Sequence, residues 1–177
     1  MEMKWGERYA LGIARMDETH REFIDFCNAL TAAWPKNEHA PSETSAASNG
    51  MPQDFLGQFD AFIEHTAAHF NQENRWMEAV NFPGCHREEH DRVLNVVQEV
   101  RKRIEKGDFF LGRRLLEELH PWFDNHIDTM DTALAFYLKE IGFDTEAGTL
   151  PESRTETPLT SAHNACDCAV PQTAKTP

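Results

Sequence analysis

Basic residues are scarce in this chain. Only 17 Lys and Arg stand against 30 Asp and Glu, a net charge of −13, which argues against a nucleic-acid or anionic-membrane surface. Long apolar runs are missing too: no stretch approaches the roughly 20 apolar residues of a membrane span. Met1 to Arg8 lacks signal-peptide character. The expectation is therefore a cytoplasmic protein with no nucleic acid and no membrane among its partners. Cysteine is limited to Cys27, Cys85, Cys166 and Cys168, which form no spaced disulfide framework. Cys27 and Cys85 lie in or beside helical segments and read as reduced thiols. Strand-like alternation is absent, and nothing repeats beyond a helical period. The 177 residues suffice for one domain with a full core and a tail.

What the chain does have is helical seams. Phe55, Phe59, Phe62, Thr66, His69, Glu73, Trp76 and Val80 recur at steps of four and three, the stripe of a helix facing partner helices. Leu56, Ile63, Phe70 and Met77 widen it. Asn81-Phe82-Pro83-Gly84 stops this helix. Before it, Asp17 is the expected N-cap of a first helix with His20, Phe23, Ile24, Cys27, Leu30 and Ala33 on its stripe, ended by Pro35. Trp5, Leu11, Ile13 and Met16 suggest an arm laid over the bundle, and residues 36 to 53, with His39, read as a long surface loop. A third helix carries His86, His90, Val93, Val97, Val100 and Ile104, with Gly107 as its C′ residue. A fourth, from near Asp108 or Phe109, carries Leu111, Leu115, Leu119, Trp122, His126, Ala133 and Tyr137. Pro121 removes the bond back to Glu117 and should kink or rearrange that helix. The fold class is all-α: an up-down-up-down four-helix bundle over residues 1–142, with an N-terminal arm and a disordered tail over 143–177.

The seams carry unusual cargo. His20 comes from the first helix, His69 and Glu73 from the second, His86 and His90 from the third, His126 and Asp131 from the fourth. A single buried histidine is more often structural than a ligand. A glutamate at a core position, however, costs several kcal/mol unless compensated, and seven such residues directed at one core point to metal. His69/Glu73 and His86/His90 are i, i+4 pairs, neighbours on one helical face. Asp131 fits less well, because five residues turn an ideal helix by roughly 140° from His126. It shares the face of Ile127, Leu134 and Leu138, so a kink or bulge must bring it inward. Five nitrogens and two carboxylates without thiolate suit iron, manganese, zinc or copper. Seven ligands exceed one tetrahedral ion and suit two octahedral ions bridged by the carboxylates.

His20 after Met16-Asp17, His69-Phe70 with Glu73, the His86/His90 pair, and Trp122 followed by His126-Ile127 and Asp131 resemble bacterial hemerythrin. The resemblance runs from Trp5 to about Leu138. It implies a non-haem di-iron centre that binds O₂ reversibly, with two iron ions (Fe²⁺/Fe³⁺) and a solvent-derived oxygen bridge. By the same analogy His86, His90 and His126 complete one iron, and His20 and His69 hold the other with a position left open for O₂. Glu73 and Asp131 bridge. Phe70, Trp122, Phe123 and Ile127 line the oxygen pocket. Three departures stand out. The turn from Pro83 to His86 is shorter than the family's, a departure that bears on the register of the third helix. Asn74 replaces a frequent second glutamate and reads as a surface change, and Phe123 stands where leucine is common.

Other histidines invite plainer readings. His65 is a partly exposed helix residue one turn before His69, and His120 is solvated. Glu117 with His120 is a single Glu-x-x-His, where ferritin-like oxidases need two. No His-Glu-x-x-His is present, which removes the common zinc-protease reading. His163, Cys166 and Cys168 read as incidental tail residues. Two function classes remain: an O₂-binding protein for storage, delivery or sensing, or a di-iron enzyme reducing peroxide or nitric oxide or oxidising iron. No acid/base pair beyond the ligands is visible, which favours the binding protein over an enzyme, with no catalytic residues assigned. A sensor would need a separate protein partner recruited through the tail.

Overall fold

The computed structural model describes residues 2–35 and 54–151. The loop read at 36–53, with His39, and the chain from 152 onward, with His163, Cys166 and Cys168, lie outside the described residues. Four helical rods make the fold: α1 (Ala14–Ala33), α2 (Phe55–Ala79), α3 (Cys85–Glu105), and α4 (Phe109–His126) continued by a π-helical turn (Ile127–Asp131) into α5 (Thr132–Glu140). Each packs on its successor, and α4 closes back on α1. No β-strand occurs among the described residues.

The ends of the rods follow the local chemistry. Asp108 caps α4 through a bond from the Leu111 amide. Gly107, at φ +91, ends α3 in a Schellman turn, with Asp108 N on Arg103 O at 2.9 Å. Asn81 does the same for α2 at φ +52, with Phe82 N on Met77 O at 2.8 Å. Asp17 departs from expectation. It lies inside α1, whose N-cap position is Ile13, and its carboxylate accepts from the Leu11 and Gly12 amides at 2.7 and 3.0 Å. A carboxylate in the first turn can reach back to free main-chain donors ahead of the helix.

The apolar residues form two clusters. One gathers Phe23, Leu30, Phe55, Phe59, Phe62, Ile104 and Leu119; the other gathers Met16, Trp76, Met77, Leu134 and Leu138. Along α1, α2 and the last rod, the polar core residues fall between members of the two clusters, so the histidines and carboxylates form a layer within an otherwise apolar bundle. The arm is pinned over it. Met3 and Asn28 exchange two bonds of 2.8 Å, Arg21 stacks on Trp5, and Tyr9 and Ile13 are buried. Arg8 and Tyr9 both reach Asp124 on α4, at 3.0 and 2.7 Å.

The packed chain also runs past the boundary read at Gly142. Gly142, at φ +67, turns the backbone so that Phe143 N meets Leu138 O at 2.9 Å. Phe143 is thereby buried beside Leu138 and Ile141, and the Thr145 carbonyl accepts from Trp76 Nε1 at 3.2 Å. A segment poor in large apolar residues still docks when its first one lands in the core.

Candidate metal centre

Four rods deliver seven polar side chains to one place. His20, His69, Glu73, His86, His90, His126 and Asp131 are all buried, none more than 2% exposed, so all are withdrawn from bulk water. Asp131 arrives there through the π turn. α4 passes through Pro121 without ending, and the rearrangement falls at Ile127–Asp131, where pairing at i+5 widens the turn. Five residues then make about one turn, and Asp131 shares the face of His126.

The Nε2 atoms point inward. His86 and His90 Nε2 each lie 3.2 Å from His126 Nε2. Glu73 turns Oε1 toward His69 Nε2, at 3.8 Å, and Oε2 toward His90 and His86, at 3.4 and 3.6 Å. Asp131 turns Oδ1 toward His86 and His126, at 3.1 and 3.2 Å, and Oδ2 toward His20, at 3.3 Å. Each carboxylate thus presents one oxygen to a three-histidine set and the other to a two-histidine set. Glu73, His86, His90, His126 and Asp131 bring one donor atom apiece within 4.8 Å of one another, as do His20, His69 and Glu73.

The chemistry of this layer fits a cation. Neither Glu73 oxygen, neither Asp131 oxygen, nor Nε2 of His20 or His69 has a hydrogen-bond partner, although buried polar atoms are almost always paired. Burial holds His69, His86 and His90 below the ordinary imidazole range, with neighbouring imidazoles adding to the effect at His69 and His90. They are therefore neutral at pH 7, the form that donates to metals. Burial, then the Asp131 charge, pushes Glu73 well above the usual carboxylate range. Burial opposes the Asp131 charge as well, yet His126, followed by His20 and His86, holds its carboxyl well below that range. Two carboxylates in one dry layer repel until positive charge lies between them.

Comparison with known proteins points to a cation-binding family. The model of the hemerythrin HHE cation binding domain matches residues 11–136. The chain belongs to the hemerythrin family. It is 42% identical over 144 residues to the bacteriohemerythrin of Ralstonia nicotianae, covering 80% of this chain and 93% of that protein. It is 28% identical over 138 residues to that of Stenotrophomonas maltophilia, with coverage of 76% and 80%. For Pseudomonas paraeruginosa the figures are 26% over 129 residues, 72% and 75%. No solved structure gives a significant match. No helix among the described residues is long and apolar enough to cross a membrane.

The turn before His86 is built by the Schellman geometry at Asn81, with Gly84 directly preceding α3, and both His86 and His90 face Glu73. Asn74 is not a surface change: it is half-buried, and its Oδ1 lies 3.0 Å from His90 Nδ1. Thr19 was not singled out at all, yet its hydroxyl lies 2.9 Å from His69 Nδ1. The Tyr9 carbonyl lies 3.3 Å from His20 Nδ1. A signal existed for two of them. Thr19 sits four residues before Phe23, and Asn74 sits between Phe70 and Met77 at steps of four and three.

The four pocket residues divide. Phe123 touches the two-histidine side, edge-on to His20 at 5.5 Å, and it stacks between Phe23 and Tyr9. Phe70 stacks flat on His90 at 3.9 Å, with its ring 5.6 Å from His69. Trp122 stacks on His126 at 4.8 Å and donates from Nε1 to Glu89, while Ile127 is fully buried in the larger cluster. His65 pairs with Glu22 at 2.9 Å, and His120 lies 3.7 Å from Asp124. Neither belongs to either donor set.

Proposed function

We propose that this hemerythrin binds O₂ reversibly at a non-haem di-iron centre, as a binding protein for storage, delivery or sensing rather than an enzyme. The carrying observation is the unequal division of donors: three imidazoles on one side, two on the other, and both carboxylates facing each. His86, His90 and His126 would hold one iron, and His20 and His69 the other. Glu73 and Asp131 would bridge, alongside a solvent-derived oxygen. Fewer side chains on the His20/His69 side leave coordination room for a diatomic ligand. Iron held there would supply the redox chemistry that O₂ binding requires.

The chain's own part is positional and electrostatic. Burial keeps His69, His86 and His90 neutral, and the packing of the four rods aims Nε2 at the centre. Thr19, Asn74 and the Tyr9 carbonyl hold the outer nitrogens of His69, His90 and His20. The rings of Phe70, Trp122 and Phe123, with Ile127, keep water from a site whose oxidation it would promote.

Iron counting tests the reading. Iron-replete protein should hold two ions per chain, Glu73→Ala and His90→Ala should lose iron, and His65→Ala should keep both. One ion per chain, or zinc alone in every preparation, overturns it. So does a His65→Ala variant as empty as His90→Ala.

A further inference from the structure

Asn74 is placed to do more than fill space beside His90. An amide oxygen only accepts hydrogen bonds, so with Asn74 Oδ1 3.0 Å away the His90 ring carries its proton on Nδ1. The Nε2 lone pair is thereby committed to the centre, toward Glu73 Oε2 and His126. The outer partners of the other two held imidazoles are a hydroxyl, from Thr19, and a main-chain carbonyl, from Tyr9. All three acceptors are neutral.

Neutrality matters for what the ring donates. A carboxylate at that distance draws the Nδ1 proton toward itself and raises the basicity of the ligating nitrogen. A more basic nitrogen favours the more highly charged metal. An amide fixes the same tautomer without that push.

We infer that Asn74 is a positioning residue that locks His90 with Nε2 inward and, by being uncharged, keeps the adjacent iron easier to reduce than a carboxylate neighbour would. The inference rests on the di-iron reading for its redox half and on geometry alone for the tautomer. Asn74 also lines a polar groove of about 480 Å³ between α2 and α3, whose walls carry Arg75 and Arg87 together with Glu78, Glu88 and Asp91. A carboxylate at position 74 would open on this solvent-filled groove, where hydration keeps it ionised. Asn74→Asp therefore changes charge while keeping shape, and Asn74→Leu removes the acceptor at similar volume.

Three measurements on the full-length protein decide it. In the metal-free protein, a long-range ¹H–¹⁵N spectrum of the imidazoles should show His90 protonated on Nδ1, and Asn74→Leu should lose that signature. His90 protonated on Nε2 overturns the inference, whether or not iron binds. In the iron-loaded protein, anaerobic chelator competition should show Asn74→Leu weakening Fe²⁺ binding by about 10- to 100-fold, with Asn74→Asp retaining its iron. Anaerobic redox titration should place the Asn74→Asp couple at a more negative potential than wild type. An unmoved or more positive potential overturns the electronic role, because a merely structural residue would not shift it. A wild-type chain that loads no iron pair would instead overturn the di-iron reading, and the imidazole spectrum would still decide the assignment of Asn74.

Discussion

Thr19→Val isolates one hydrogen bond at the two-histidine side. The Thr19 hydroxyl has a single proton, which faces the Met16 and Arg15 carbonyls at 2.9 and 3.2 Å. Its lone pair is therefore free to accept from His69 Nδ1, also at 2.9 Å. Valine matches threonine in shape and closely in helix propensity, so the substitution removes the acceptor for His69 together with the hydroxyl's bond to its own helix carbonyls. His69 is 2% exposed, and no water replaces the lost partner. Leaving a buried donor unsatisfied costs about 1–3 kcal/mol. For a chain of this size that is a fall in Tm of about 2–4 °C per kcal/mol. Loss of such an outer partner also weakens a metal site by about 10- to 100-fold. Only the ion on His20 and His69 should suffer, so anaerobic iron titration should split into one tight and one weakened phase. Thr19→Ser, which keeps the hydroxyl, should restore both. A valine variant with wild-type melting and two equally tight irons would refute the reasoning, as would a serine variant as impaired as valine.

Phe123→Ala should open space beside His20 and cost about 3–5 kcal/mol; with iron unchanged, stopped-flow should show faster O₂ dissociation and faster autoxidation. Phe123→Leu gives the same comparison with less loss of packing, and rates equal to wild type in both variants would make Phe123 core packing alone. Phe143→Ala should lower stability by about 3 kcal/mol, read by urea unfolding, since Phe143 is buried against Leu138 and Ile141; an unchanged midpoint would return residue 143 to a loose tail. Metal-free protein should melt at lower temperature as pH falls from 7 toward 5. The folded pKa values of His69, His86 and His90 are depressed, so the unfolded chain takes up more protons below about pH 6.5. Glu73, with its raised folded pKa, acts in the opposite sense, but three imidazoles outweigh one carboxylate. A melting temperature flat over that range would show that the imidazoles are not buried neutral.

Much of the architecture was legible because periodicity reports it. The steps of four and three along Phe55 to Val80, and along His86 to Ile104, encode both helices and the faces they bury. The breakers at Asn81, Gly107 and Pro35 mark the ends. The anomaly of Asp131 was legible as well: five residues after His126 cannot share an α-helical face, and a π turn resolves it. The sequence hid what depends on partners distant in the chain. Asn74 looks like a polar surface residue until α3 brings His90 against it, and the Tyr9 carbonyl has no sequence signature at all. Phe143 follows a glycine in a polar stretch, and only the Schellman geometry shows that it turns back into the core. Asp17 was misassigned because a carboxylate can cap from within the first turn as well as from the N-cap position.

The central claim is that the buried layer of five imidazoles and two carboxylates holds an iron pair that takes up O₂ and releases it. Its most direct test is the absorption spectrum of anaerobically reduced protein before and after O₂, with iron counted on the same sample. The account predicts two irons per chain, a nearly featureless reduced spectrum, a visible charge-transfer band on adding O₂, and loss of that band when O₂ is removed. A band that never forms, or one that persists after O₂ is withdrawn from protein holding both irons, would contradict it.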